Sequence, residues 1–316
     1  MSVDRIAENM KCRHLLPLIA ALVVAGLGAS AGLAAAPAGT PCTLCLYGPD
    51  NMAFDAAGDV YLVDSDHKTR SRVLKLSPEG KKLAEWHVFP LIPGRDNGPN
   101  GIGLDADGNI LVADAQGVLK LSSTGSLLTT FGTQPETFDD ERHLAVGRQG
   151  DIFVTQAHEN LIQRFSPDGR LVASWKRGQG SGREQLNRPE QISAAPDGNL
   201  VVQDWGNHRM VTLSPAGRTV STFDATKDVP LKLASISGAC VDQDGNIYVA
   251  DYQLYRVQEF DPHGRLLTTI QNTPGNVLFE TAPYSLAIDL RGNLYSGDGL
   301  SVVKYSRDGK LLARWR

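Results

Sequence analysis

Short runs of alternating hydrophobic and polar residues, separated by glycine-containing turns, repeat along most of the chain. In Asp242–Gly264 (DQDGNIYVADYQLYRVQEFDPHG) an apolar run follows a D-x-D-G turn, and a second run ends at a D-P-x-G turn. The glycine of the first turn recurs at Gly58, Gly108, Gly150, Gly198, Gly245 and Gly292. The glycine of the second turn recurs at Gly80, Gly125, Gly169, Gly217, Gly264 and Gly309. The first series has intervals of 50, 42, 48, 47 and 47 residues, and a period of roughly 40–50 residues with several short strands per unit predicts the blades of a β-propeller.

Each unit contains four predicted strands, named a to d in chain order. Strand a follows the pattern P-x-x-apolar-small-apolar-Asp, as in Pro99–Asp105 and Pro283–Asp289, and strand b follows the first glycine, as in Asn199–Asp204. Strand c alternates, as in Arg256–Phe260, and strand d follows the second glycine, as in Lys310–Trp315. Asp-Gly and Pro-x-Gly sequences supply the backbone angles that tight turns need. We therefore expect residues 48–316 to form an all-β, six-bladed β-propeller of four-stranded antiparallel blades.

The first 38 residues have the pattern of an export signal. Lys11 and Arg13 precede an apolar run, Leu15–Leu33, and the small residues up to Ala38 resemble a cleavage site. A more compact signal would begin at Met10. We expect cleavage after Ala38 and export to the periplasm or the extracellular space. The alternative is an uncleaved membrane anchor at the N-terminus, because the run is nearly long enough to span a bilayer.

Residues 39–47 form a short segment with a C-x-x-C pair, Cys42 and Cys45. The pair is not a haem site, because Leu46 stands where histidine is needed, and no second pair completes a zinc ribbon. In an oxidising compartment we expect a local Cys42–Cys45 disulfide, with a redox-active pair as the alternative. The last unit holds its own strands c and d, so Thr43–Tyr47 is the candidate strand to latch the first and last blades.

One position of strand a is occupied by small residues in all six units. Six inner strands that converge on one axis leave no room for bulk there, so we expect this column to line a central channel and Cys240 to be a packing residue. The column contains Ala53, Gly103, Ala145, Ser193, Cys240 and Ala287.

Strands a begin and strands b end on one face of the disc, which we call the mouth face. The second position of the strand-a pattern is polar in every unit, and we expect it to point toward the channel mouth and to bind a ligand. These residues are Asp50, Asn100, Arg142, Glu190, Ser237 and Tyr284. Asp50, Asn100 and Glu190 are oxygen donors of the kind that Ca²⁺ or Mg²⁺ prefers. The alternative is a polar, hydrated lining without a ligand.

Strand b ends in aspartate in five units, and the first residue of strand c is arginine in three of them. The pairs are Asp64–Arg72, Asp204–Arg209 and Asp251–Arg256, for which we expect ion pairs that brace the b–c turns. Asp114 and Asp298 lack the arginine, so they are the aspartates that we expect to be freest to meet a ligand, with a turn hydrogen bond as the alternative use of their carboxylates.

The repeat resembles the NHL-repeat family of six-bladed propellers from about Gly48 to Arg316, most closely in Asn187–Gly217. The resemblance implies the fold but no particular activity. Gluconolactonase and senescence-marker-like propellers are similar locally: Pro99-Asn100-Gly101 matches their P-N-G element, and Gly48-Pro49-Asp50 loosely matches their E-G-P element. A third relative, the peptidyl-amidoglycolate lyase domain, has zinc-binding histidines at the channel position of strand a. That lyase is disfavoured, because His143 falls one residue beyond that position.

We therefore expect an exported module that binds a protein or a small molecule through the mouth face. The alternative is a Ca²⁺-dependent lactonase or hydrolase in which Asp50, Asn100 and Glu190 hold the cation. There Asp298 or Asp114 would be the general base, and Arg142 would orient an anionic substrate. A net charge of −4 gives no basic face for nucleic acid. We expect a monomer with no membrane contact beyond the signal segment.

Overall fold

The computed structural model describes residues 44–66, 71–87, 98–114, 116–132, 143–224, 235–274, 277–299 and 301–316. The chain divides into two compact units, Met1–Cys45 and Leu46–Arg316, and the second contains the repeats. Within the described ranges, no helix has both the length and the apolar character of a membrane span. The signal segment (1–38) and Cys42 lie outside these ranges, so cleavage, export and the Cys42–Cys45 disulfide stay predictions.

The described residues contain 24 strands and one short 3₁₀ helix, Trp205–Asn207. The strands are β1 (Pro49–Phe54), β2 (Val60–Ser65), β3 (Ser71–Leu76), β4 (Lys82–Trp86), β5 (Gly101–Leu104), β6 (Ile110–Asp114), β7 (Gly117–Leu121), β8 (Leu127–Phe131), β9 (Leu144–Val146), β10 (Ile152–Gln156), β11 (Leu161–Phe165), β12 (Leu171–Lys176), β13 (Pro189–Ala194), β14 (Leu200–Asp204), β15 (Arg209–Leu213), β16 (Thr219–Phe223), β17 (Ile236–Val241), β18 (Ile247–Asp251), β19 (Arg256–Phe260), β20 (Leu266–Gln271), β21 (Ser285–Ile288), β22 (Leu294–Gly297), β23 (Val302–Tyr305) and β24 (Leu311–Trp315).

Consecutive groups of four strands form six antiparallel sheets, each in the order a, b, c, d. These sheets are blades 1 to 6 in chain order, and they confirm the predicted six-bladed all-β propeller. The predicted strand c of blade 5, Arg256–Phe260, has the observed bounds of β19. The predicted strand d of blade 6 differs from β24 by one residue at its start.

The hydrophobic core lies between neighbouring blades. Val257 and Phe260 in strand c of blade 5 belong to different clusters: Phe260 packs toward blade 4 with Phe223, and Val257 packs toward blade 6 with Leu286. Because side chains alternate along a strand, both faces of each sheet are covered by a neighbour. This explains why strands b and c are buried along their whole length in blade 5.

Aromatic residues near the ends of strands d pack on the next blade at most of the blade junctions. Trp86 of blade 1 packs on Gly125 of blade 2 and donates a hydrogen bond from Nε1 to the Thr124 carbonyl at 2.9 Å. A side-chain carbon at Gly125 would overlap the Trp86 ring. The same contact joins blades 2 to 5 through Phe131 on Gly169, Trp175 on Gly217 and Phe223 on Gly264, whereas the aliphatic Ile270 lies over Gly309 between blades 5 and 6. The second-turn glycines therefore supply positive φ angles and also make room for a large apolar side chain, which is aromatic at every junction except that one.

The ring closes with this same contact. Trp315 at the end of blade 6 packs on Gly80 of blade 1, and β1 contacts both β5 and β21. From Leu44 to Gly48 the chain forms no strand. The expected closure strand at Thr43–Tyr47 is therefore absent from its described part, because each blade, including the last, already has its own four strands.

The six inner strands surround a cavity of about 310 Å³. All six members of the small column line this cavity, which confirms their predicted place on the channel. Cys240 is buried among them, and this burial raises the pKa of its thiol. It packs as a small residue, as expected.

Candidate functional site

The predicted b–c ion pairs are present on the mouth face. Arg72 Nε lies 2.8 Å from Asp64 Oδ2, and the corresponding distances are 2.7 Å for Arg209–Asp204 and 3.3 Å for Arg256–Asp251. All three aspartates are fully buried. Each also accepts a backbone N–H from the segment that leads into strand a. The carboxylates thus tie strands a, b and c together, which is a structural role.

Asp114 and Asp298 are also used by their turns. The Gln116 amide donates to Asp114 Oδ1 at 2.8 Å, and the backbone amide and hydroxyl of Ser301 donate to Asp298 at 2.7 and 2.9 Å. Both aspartates are buried. These are the turn hydrogen bonds expected as the alternative to a ligand, and they occupy the two carboxylates where the arginine is missing.

The channel lining near the mouth is displaced by one residue from the predicted mouth column. Asn51, His143 and Gln191 line the cavity, whereas the prediction placed Asp50 and Glu190 there. Side chains alternate along a strand, so the residue two positions before the small column shares its face. His143 therefore does occupy a channel position, but it is the one histidine among the six equivalent positions of strand a.

A hydrogen-bond network joins the three lining residues. Asn51 Nδ2 lies 2.9 Å from His143 Nδ1 and also donates to the Asn100 carbonyl, while Gln191 Nε2 donates to Asn51 Oδ1 at 3.1 Å. The assigned orientation of the Asn51 amide makes His143 Nδ1 the acceptor of this bond. The network links the inner strands of blades 1, 2, 3 and 4, and it fixes the orientation of the imidazole in the channel.

The equivalent positions in blades 5 and 6 are small. A side-chain carbon at Gly238 would lie 2.8 Å from the Tyr284 carbonyl oxygen, so glycine lets the two strands approach. Ser285 Oγ donates to the Asp50 carbonyl at 2.7 Å. Polar side chains therefore project into the channel from blades 1, 3 and 4, whereas blades 2, 5 and 6 have glycine or serine at this position.

The predicted mouth column has no single environment. Asp50 is partly buried, and desolvation raises the pKa of its carboxyl to about 7. Glu190 Oε1 lies 3.6 Å from Arg188 Nη2, and Ser237 Oγ donates to the Pro283 carbonyl at 2.6 Å. Arg142 lies outside the described residues. The described members of the mouth column therefore differ in burial and in hydrogen-bond partners, although they occupy the same position of the sequence repeat.

Arg188 belongs to the mouth face and was missed by the sequence analysis. Its guanidinium lies 4.5 Å from the centre of the Trp205 ring, and its backbone has a φ of 55°. The available signal was its place immediately before Pro189, where the strand-a pattern begins. No pattern in the sequence indicates that Trp205, in another turn of the same blade, lies against it.

Tyr284 and Tyr252 form an exposed aromatic pair where blades 5 and 6 meet. Their ring centroids are 4.8 Å apart, and the Tyr284 hydroxyl lies 3.0 Å from the Tyr252 hydroxyl. Partial burial and this hydrogen bond raise the pKa of Tyr284 to about 12. The phenol is therefore neutral at physiological pH and presents an aromatic surface with a polar tip.

The expected metal site has limited support. Among the described residues, no three His, Cys, Asp or Glu side chains gather closely enough to hold a metal ion. Asp50, Asn100 and Glu190 would offer two carboxylates and one amide oxygen, a combination that differs from a group of three such side chains. Glu190 also lies near a cation of the protein itself, which would compete with a metal for its carboxylate.

No protein-family model and no curated protein sequence matches the chain. Among solved structures, a streptogramin B lyase is similar with a TM-score of 0.63 and 16% identity, over 87% of this chain and 84% of that one. A catalytically inactive histidine-to-alanine variant of virginiamycin B lyase from Staphylococcus aureus, with quinupristin, has a TM-score of 0.61 and 15% identity over 86% and 85%. A gluconolactonase from Xanthomonas campestris has a TM-score of 0.61 and 17% identity over 84% and 87%. What the chain shares with them is the propeller fold.

Proposed function

We propose that this chain is an exported propeller of the NHL-repeat type whose mouth face binds a small ligand. The observation that carries the proposal is the mixed character of the channel mouth. The hydrogen-bonding side chains of Asn51, His143 and Gln191 project into the channel from blades 1, 3 and 4, and the Tyr252–Tyr284 pair adds aromatic surface where blades 5 and 6 meet. Binding sites commonly combine aromatic surface with a few polar groups that fix orientation.

The repeat supports the NHL-type assignment. Six turn glycines of each series fall in six observed blades, and the unit Asn187–Gly217, which resembles the family most closely, spans strands a to c of blade 4. A protein partner on the same face is the alternative to a small ligand. The partly enclosed channel favours the small ligand, because a flat protein surface does not reach the lining of a 310 Å³ cavity.

A ligand screen by thermal shift tests the binding proposal. A compound at a hundredfold excess over Kd stabilises the native state by about 2.7 kcal/mol. We expect such a shift to be reduced in Gln191→Leu and in Tyr284→Ala. Leu290→Ala is the matched control, because Leu290 is 59% exposed in the first turn of blade 6, on the opposite face. Hits whose shifts survive both mouth variants would contradict the proposed site.

Cell fractionation tests export. We expect the mature protein to begin at Gly39 and to leave the cytoplasm, and deletion of residues 1–38 to retain it there. Recovery of the intact chain in the membrane fraction would replace cleavage with the anchored alternative.

The second candidate is a Ca²⁺-dependent lactonase or hydrolase. The observation that favours it is the pKa of Asp50 near 7, since a desolvated carboxylate gains from a bound cation. Asp50, Asn100 and Glu190 would hold the ion, which would polarise a substrate carbonyl. Arg142 would orient an anionic substrate, and Asp114 or Asp298 would have to leave its turn to act as the general base.

Thermal melts with Ca²⁺, Mg²⁺ or EDTA, together with elemental analysis, test this candidate. A shift with one cation that disappears in Asn100→Ala, followed by hydrolysis of a lactone, would support it. Absence of any shift and of bound metal would remove the Ca²⁺ site and leave the ligand-binding proposal in place.

A further inference from the structure

Three exposed tyrosines gather where blades 5 and 6 meet on the mouth face. We call Tyr252, Tyr255 and Tyr284 the tyrosine cluster. Their side chains are 37%, 44% and 50% exposed. Tyr252 and Tyr255 flank the b–c turn of blade 5, and Tyr284 immediately precedes strand a of blade 6. The Tyr252 and Tyr284 rings touch, and Tyr255 lies three residues after Tyr252 in the same turn.

Tyr255 holds its ring at a strained backbone position. It ends the b–c turn with a φ of 50°, and the equivalent residues in blades 3 and 4 are Asn160 and His208, each with a φ of 53°. Asparagine and histidine are enriched in this left-handed region, whereas a bulky aromatic residue there is an outlier. Such strain tends to persist at functional sites. The turn would form with less strain if an asparagine replaced Tyr255, so the fold alone does not account for the ring.

The tyrosine cluster differs from the other aromatic residues in what lies over its rings. Five rings in the described structure carry a basic side chain of the protein at 4.3 to 5.9 Å from the ring centre. Two of these pairs, Arg72 over Tyr47 and Arg188 over Trp205, are also on the mouth face. Within the described residues, no lysine or arginine lies over Tyr252, Tyr255 or Tyr284. The exposed parts of these three side chains therefore carry no basic side chain from the described residues.

The chemistry of phenol rings favours positive charge over negative charge. An aromatic ring attracts a cation through its negative face and offers no formal charge to an anion.

We propose that the tyrosine cluster binds the head of a small ligand that carries a quaternary ammonium group. This inference rests on the proposed function of the mouth face as a ligand-binding surface. Aromatic faces suit such a cation because its methyl groups leave no N–H donors to satisfy, and its charge is attracted by the rings. A primary ammonium group would need hydrogen-bond acceptors that the ring faces do not provide.

Titration calorimetry with two probes tests the inference. Choline is the cationic probe, and 3,3-dimethyl-1-butanol is its neutral analogue of the same shape. We expect choline to bind about tenfold more tightly than the neutral analogue, which corresponds to about 1.4 kcal/mol of cation–aromatic attraction. Equal affinities would show a merely apolar surface and overturn the proposal, as would the absence of choline binding.

Substitutions of Tyr284 test whether choline binds at the tyrosine cluster. We expect Tyr284→Ala to weaken choline binding about tenfold and Tyr284→Phe, which keeps the ring, to retain most of it. Leu254→Ala is the matched control, because this exposed side chain lies in the same turn and has no ring. Choline binding that survives Tyr284→Ala would overturn the proposal. A neutral compound from the screen that loses binding in Gln191→Leu and Tyr284→Ala, in a protein that does not bind choline, would preserve the proposed function and reject the cation.

Discussion

The two faces of the propeller are built from the same six blades, but they differ in how closely the blades repeat one another. On the face opposite the mouth, the first turns share one hydrogen-bond pattern. In Asp55, Asp105, Asp242 and Asp289 one carboxylate oxygen accepts the backbone amides two and four residues later. On the mouth face, the equivalent channel positions are occupied by Asn51, Gly101, His143, Gln191, Gly238 and Ser285.

This difference separates the turn residues, which repeat because they build the fold, from the channel residues, which differ between blades. A turn that must be made six times uses the same backbone hydrogen bonds each time, and in four blades the same aspartate as well, since the strands it joins have the same geometry. A ligand meets all six blades at once and from one direction, so each blade can contribute a different group. Variation between blades at one position is therefore a guide to the site within this single chain.

We expect the largest loss of stability from substitution of a turn glycine that also packs against an aromatic ring of the neighbouring blade. Gly125 has a φ of 86° and lies under the Trp86 ring, whereas Gly108 has a φ of 76° and an added side-chain carbon there would have no atom within 4 Å. Both alanine variants force a left-handed backbone, which costs about 1–2 kcal/mol. Gly125→Ala also displaces the ring, so we expect a total loss of about 2–5 kcal/mol. Urea unfolding of the two variants measures the difference, and equal losses would show that the aromatic contact is not a lock.

The fold was predictable from the sequence because its signals are local and periodic. Asp-Gly and Pro-x-Gly mark the turns, and a recurrence of 42 to 50 residues counts the blades. The small column was also predictable, since crowding at the axis acts on every blade alike. The aromatic locks were not predicted, because Trp315 and Gly80 are brought together only when the ring closes.

The mouth was harder to predict because it depends on side-chain alternation at irregular strand ends. The pairing of β1 with β2 shifts between Pro49 and Met52, and that of β13 with β14 shifts between Pro189 and Ile192. Counting forward from the proline selected Asp50, whereas counting back from Ala53 selects Asn51. The sequence selected Tyr284 as a residue of the mouth column but not its pairing with Tyr252, because the two residues belong to different blades.

An intermediate effect is expected from Asp50, whose environment distinguishes the mouth from the repeated turns. Its folded pKa of about 7 lies above the ordinary value of 3.8, so the native state binds more protons than the unfolded state between about pH 4 and 7. Stability therefore falls as the pH rises through this window. Asp50→Asn removes the charge, and we expect it to be more stable than the unmodified protein by about 1–3 kcal/mol at pH 8, since one pKa unit corresponds to about 1.4 kcal/mol.

Unfolding curves at pH 4 and pH 8 measure this linkage. At pH 4 both proteins carry a neutral group at position 50, so we expect similar stabilities there. Asp107→Asn, at an exposed position in the first turn of blade 2, controls for the loss of one negative charge. A stability gain from Asp50→Asn that is the same at both pH values would contradict burial of an ionisable carboxyl at the mouth.

The smallest effect on stability is expected from Gln191, which belongs to the ligand side of the comparison. Its Nε2 donates to Asn51 Oδ1, so Gln191→Leu leaves that oxygen without this donor and costs about 1 kcal/mol. Gln191→Glu keeps the shape but removes the donor, and it places a carboxylate against the Asn51 oxygen. If the network exists to orient a ligand, both variants should lose ligand binding by a larger factor than they lose stability. Binding that falls only in proportion to stability would instead make the network a part of the fold, like the turns on the opposite face.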